Sequence, residues 1–166
     1  ADDYVVVEDT GPLDSVATEI TIAAWVRISR LKFDMKIAGR QDHPGSGYKL
    51  EVYDGKVGFD VFDGKGRAHL VRAAPGGTIL RPGVWYHVAG VFSASQGYIR
   101  TYVNGALDRE IRVNATPDVP QSAFYIGREP YGKTFYWNGK IDELCLFGRA
   151  LAESEIKQLA AWPGIR

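Results

Sequence analysis

Tyr48-Lys49-Leu50-Glu51-Val52-Tyr53-Asp54-Gly55-Lys56-Val57-Gly58-Phe59-Asp60-Val61-Phe62 decides the fold class. Apolar residues alternate with others on both sides of Asp54-Gly55, which is the period of strands laid against a core. Asp-Gly supplies the two positive φ angles of a type I′ turn, so the stretch predicts a tight β-hairpin. Asp63-Gly64 follows and predicts a third strand near Arg67 to Arg72. Asn104-Gly105 repeats the signal between candidate strands at 98–103 and 106–113. Asn138-Gly139 predicts another turn or bulge ahead of a strand at 141–147.

Two further runs read as central strands. Ile20-Thr21-Ile22-Ala23-Ala24-Trp25-Val26 and Val84-Trp85-Tyr86-His87-Val88-Ala89-Gly90-Val91-Phe92 are apolar or small at nearly every position. Strands covered on both faces lose the alternation of a half-exposed strand. Roughly ten or eleven short strands at this spacing imply a sandwich or barrel. The tail differs: in 152–161, Ile156, Leu159 and Ala160 share one helical face, and Pro163-Gly164 ends the run.

The chain has 166 residues, and no charge run, repeat or low-complexity linker divides it, so 1–166 is assigned to a single domain. Lys plus Arg and Asp plus Glu are 20 each, and this neutral balance argues against nucleic acid or an acidic membrane surface as partner. No run approaches the about 18 apolar residues of a membrane span. The chain opens on Ala1 and reads as an excised domain or a processed chain, so the lack of a signal segment says nothing about secretion. Cys145, the one cysteine, lies in Leu144-Cys145-Leu146-Phe147 and reads as a buried small hydrophobe.

Several runs, in order along the chain, resemble the laminin-G-like (LamG type 3, pentraxin-related) branch of the concanavalin A-like lectin/glucanase superfamily. They are Asp2-Asp3-Tyr4-Val5, the run from Ile20 to Val26, Gly47-Tyr48-Lys49-Leu50, the run from Trp85 to Phe92, Tyr102-Val103-Asn104-Gly105, Gly139-Lys140-Ile141-Asp142-Glu143-Leu144 and the tail from Arg149 to Ile156. The resemblance implies an all-β, two-sheet antiparallel jelly-roll sandwich with one short C-terminal helix. It also implies an extracellular or cell-surface module, non-catalytic and carbohydrate-binding, beside other domains of a parent protein. A structural or protein-interaction module is the first alternative, and a glycan-active enzyme the second. The family often has Ser at the helix N-cap. Here Ala152 stands three residues before Glu155, so half of the capping box is lost.

Many domains of this kind carry calcium, which prefers six to eight hard oxygens. First and last strands commonly neighbour each other in a jelly roll, so Asp2 and Asp3 are expected to meet Asp142 and Glu143 in a structural Ca²⁺ site; solvated strand ends are the competing reading. His43, His69 and His87 lack cysteine partners and do not suggest zinc. Glycosidases of this superfamily usually show Glu-x-Asp-x-x-Glu, and no such run occurs. Sugars stack on aromatic rings and bond to Asp, Asn, Arg and Gln. The stretch from Arg128 to Asn138 is richest in these, and Tyr131 and Tyr136 are its expected platforms with Arg128 and Asn138 beside them. Trp137 reads as core. Tyr98, Arg100 and Tyr102 share a strand face and form a second candidate surface, open or covered, with Asp42 and His43 on its rim.

Overall fold

The computed structural model describes residues 3–8, 11, 18–42, 45–63, 65, 68–70, 76–115, 118–129 and 135–162. Asp54 and Gly55 take φ of 48° and 75°, and Asn104 and Gly105 take 50° and 80°. Both dipeptides therefore make the type I′ turns that their composition requires. Among the described residues the chain forms β1 (Val5–Val7), β2 (Glu19–Ile28), β3 (Asp34–Asp42), β4 (Ser46–Tyr53), β5 (Lys56–Asp63), β6 (Ala68–Leu70), β7 (Trp85–Ser93), β8 (Tyr98–Val103), β9 (Ala106–Arg112), β10 (Phe124–Ile126), β11 (Gly139–Phe147) and α1 (Glu153–Ala161).

The strands make a two-sheet antiparallel sandwich of jelly-roll type. One sheet runs β1-β10-β3-β4-β5-β6 and the other β11-β2-β7-β8-β9. The two central runs are β2 and β7, each paired on both sides. Alternate residues face inward, with Ile22, Ala24, Val26 and Ile28 from β2 meeting Leu50, Val52, Phe59 and Val61 across the core. Gly90 is needed for this contact: a Cβ there would lie 2.2 Å from the Phe59 ring.

A smaller cluster forms on the outer face of the five-stranded sheet. Ala23, Ala89, Val91, Tyr98 and Tyr102 lie beneath Leu151 and Ile156, so α1 covers that part of the face. This explains why β2 and β7 lack alternation. At Asn138-Gly139, where the sequence predicts a turn or bulge, β11 already begins at Gly139, and its bulge falls later, between Asp142 and Cys145. Glu143 occupies the bulge with φ of 51°.

Candidate functional site

β1 and β11 are the outer strands of their sheets on one flank. Between them opens a cleft of about 680 Å³, lined by Asp3, Tyr4, Ile126, Trp137, Asn138, Ile141, Asp142 and Glu143 among others. The first and last strands thus meet across the edge of the sandwich. Core-facing side chains such as Ile126, Ile141 and Leu144 are only partly buried here. Trp137 is buried in the core, and its indole N–H donates to the Lys140 carbonyl at 3.2 Å. That position fixes the neighbouring Asn138 at the cleft wall.

Tyr4 joins the cleft to an aromatic cluster. The Arg128 guanidinium stacks over Tyr4 at 4.1 Å and over Tyr125 at 4.5 Å, and Tyr136 lies 6.4 Å from Tyr4. β10 places Phe124 in the core, so Tyr125 points the other way. Tyr4 is 46% exposed. Arg128 Nε is buried and has no hydrogen-bond partner among the described residues. A buried donor without an acceptor is unfavourable, and a ligand oxygen would satisfy it. Arg128, Tyr136 and Asn138 are therefore brought to one flank, whereas Tyr131 lies outside the described residues. Tyr4 and Tyr125 had no signal of their own, because only long-range pairing of β1 with β10 brings them together.

The acidic residues are only partly assembled. Asp3, Asp142 and Glu143 all line the cleft. Asp142 Oδ1 accepts the Glu143 backbone N–H at 2.9 Å. Among the described residues no three carboxylate, imidazole or thiol groups cluster as a metal ion requires. Asp3, Asp142 and Glu143 do not make a calcium cage by themselves, and Asp2 lies outside the described residues.

The second candidate surface is covered. Tyr98 and Tyr102 do share a face, but they are 4% and 1% exposed beneath α1. Arg100 stacks on Tyr98 at 3.9 Å and its Nε donates to Glu110 at 2.6 Å. These groups pack the helix against the sheet and offer no open platform. Asp42 does not rim that surface either. Its carboxylate accepts backbone N–H groups of Gln121 at 2.6 Å and Ser122 at 2.9 Å. Burial opposes its charge, but these bonds hold its carboxyl below the usual aspartate range. It pins the approach to β10, and His43 lies outside the described residues.

One charged cluster escaped the sequence reading. Lys49 and Glu51 alternate with core residues of β4, yet they are 6% and 0% exposed. Lys36 Nζ donates to Glu51 and to Asp34 and lies 3.5 Å from Glu129, while Lys49 Nζ lies 3.3 Å from Glu129. Burial disfavours the Lys36 charge, but Glu51, Asp34 and Glu129 together raise its pKa above the ordinary lysine value. Glu51 and Glu129 are ion-paired and do not line the β1–β11 cleft.

The model of the laminin-G type 3 family, concanavalin A-like lectin/glucanases superfamily, matches residues 1–157. The chain belongs to this family. No curated protein matches the sequence significantly. Among solved structures, this laminin-G domain is similar to the CBM40 of a Ruminococcus gnavus IT-sialidase bound to α2,3 sialyllactose, with TM-score 0.73 and 12% identity over 95% of this chain and 91% of that one. It is similar to domain 4 of AbnA, a GH43 extracellular arabinanase from Geobacillus stearothermophilus in complex with arabinotriose, with TM-score 0.69 and 21% identity over 87% and 67% of the two chains. It also matches a Bacteroides ovatus ATCC 8483 protein assigned provisionally to carbohydrate binding, with TM-score 0.69 and 23% identity over 85% of this chain. The laminin-G domain spans 40% of that protein's chain. At these identities the likeness is one of fold.

Proposed function

We propose that this laminin-G domain is a non-catalytic, extracellular carbohydrate-binding module whose glycan lies along the cleft between β1 and β11. The observation that carries the reading is Arg128, stacked on Tyr125 and on Tyr4, which lines that cleft, with its Nε buried and without a hydrogen-bond partner among the described residues. Tyr4 and Tyr136 offer ring faces to the C–H face of a sugar, and Arg128 and Asn138 offer bonds to its hydroxyls. The structures of similar fold include sugar-bound modules, one of them from an extracellular enzyme, which supports the same reading.

The test is a glycan array of the purified domain, run with calcium and again with EDTA, followed by titration of the best ligand. Tyr136→Ala and Tyr4→Ala are each expected to weaken binding about tenfold, or about 1.4 kcal/mol, with the melting temperature little changed. Binding abolished by EDTA would bring the calcium expectation on Asp2, Asp3, Asp142 and Glu143 into the site. Undiminished binding in both tyrosine variants would move the glycan elsewhere.

A second reading has its own observation. Leu31, Phe33 and Ile79 are 39%, 64% and 62% exposed. Phe33 stacks edge-on against Tyr53 at 4.6 Å, and Leu31 and Ile79 both approach Gly55. This apolar tip suits a protein-interaction module. A silent array from folded protein would favour it.

A further inference from the structure

α1 covers only part of the outer face of the five-stranded sheet. Beside its C-terminal end the face opens into a separate cavity of about 210 Å³, lined by Trp25, His87, Glu143, Leu159 and Trp162 among others. Trp162 ends the helix and is 62% exposed. Trp25 and His87 pair directly across β2 and β7, their rings 5.6 Å apart and edge-on. That contact holds the indole of Trp25 in one orientation at the cavity wall.

Glu143 supplies the polar group. Its φ of 51° is unusual for a residue bearing a side chain, and such backbone persists where surrounding structure enforces it, often at functional sites. The strand bulge between Asp142 and Cys145 provides that enforcement. It brings Glu143 to this cavity as well as to the β1–β11 cleft.

We propose a second carbohydrate site here, taking one neutral pyranose ring, with Trp25 and Trp162 as stacking faces and the Glu143 carboxylate accepting from a sugar hydroxyl. The cavity is smaller than the roughly 300–1,000 Å³ typical of drug-sized ligands, so it admits one ring where the larger cleft admits more. Two indoles match the C–H faces of a sugar. The carboxylate favours hydroxyl donors and disfavours an acidic sugar. The inference rests on the carbohydrate reading and adds a site on another face, so that one domain would engage two glycan ends.

The tryptophans themselves report on the two sites. Three of the four tryptophans line them: Trp137 the cleft, and Trp25 and Trp162 the second cavity. Indole N–H signals of ¹⁵N-labelled protein would be followed by NMR during titration with methyl β-glucopyranoside, methyl β-galactopyranoside and N-acetylneuraminic acid. The expected result is a saturable shift of the Trp25 and Trp162 signals with a neutral pyranoside and none with the acid. Trp162→Ala should reduce the Trp25 shift at least tenfold at fixed sugar concentration, and Trp162→Phe should restore most of it. Trp162 lies outside the core, so dispersed signals in both variants are expected to confirm folding. Stationary Trp25 and Trp162 signals with both pyranosides would overturn the proposal, as would a Trp25 shift undiminished in Trp162→Ala. A shift of Trp137 alone would overturn it while leaving the cleft intact. Movement of Trp25 and Trp162 without Trp137 would support the second site and count against the cleft.

Discussion

Lys36 sits under two opposing demands. Its side chain is 1% exposed, which disfavours a charge, and it contacts Asp34, Glu51 and Glu129, which require one. Removing one partner of a buried ion pair is far worse than removing both, because the survivor stays desolvated and uncompensated. Lys36→Met is therefore expected to destabilise the domain by about 3–5 kcal/mol, since it takes from the fully buried Glu51 its closer countercharge and leaves Lys49 at 3.8 Å. Lys36→Met/Glu51→Leu should recover much of the loss. Urea denaturation of the two variants checks this. A loss below about 1 kcal/mol in the single variant, the range of exposed pairs, would show that water reaches the cluster. The sequence showed the alternation of Lys49 and Glu51 with Leu50 and Val52, but alternation distinguishes two faces without saying whether the polar one is wet. That depends on Lys36 and Glu129, which come from other parts of the chain.

At the scale of the element, α1 shows how a missing cap is replaced. Ala152 has no side-chain oxygen, so only the reciprocal half of the capping box remains: its backbone N–H donates to Glu155 Oε2 at 2.9 Å. The same carboxylate receives both Arg149 terminal nitrogens, at 2.9 and 2.7 Å. The loss of the cap was legible at Ala152; its replacement was not, because Arg149 precedes the helix and nothing in the helical pattern marks it. Arg149 and the Ala152 N–H bring the Glu155 carboxyl down to about 2. A carboxyl depressed in the folded state stabilises it fully above the unfolded value, about 4.3 for glutamate. That contribution is lost as the pH falls from there toward 2. The melting temperature of the parent should therefore drop more steeply across this window than that of Glu155→Gln, the two curves converging at the acid end. Parallel curves would mean that the exposed contact is screened and contributes nothing.

Across the whole molecule, the hairpins and the central strands were legible because their signals are local: a dipeptide with two positive φ angles, or a run of apolar residues. The flank that holds the candidate site was legible only in pieces. Arg128, Tyr136 and Asn138 came from one stretch, but Tyr4, Tyr125 and the second-cavity pair Trp25 and Trp162 are brought in by pairings between distant segments. Tyr98 and Tyr102 looked like a platform for the converse reason, since the helix that covers them lies far along the chain. The same topology governs folding. Val5 pairs with Ile126, and Thr21 with Phe147, so both flanking strands close only when nearly the whole chain has been gathered. Loop closure must be achieved before such contacts stabilise anything. All-β sandwiches with these pairings fold in roughly milliseconds to seconds, against microseconds to milliseconds for helical bundles. Refolding from urea, followed by tryptophan fluorescence in a stopped-flow instrument, should show most of its amplitude within that slower window. Full recovery inside the dead time would mean that local hairpins, not the distant strand pairs, set the barrier.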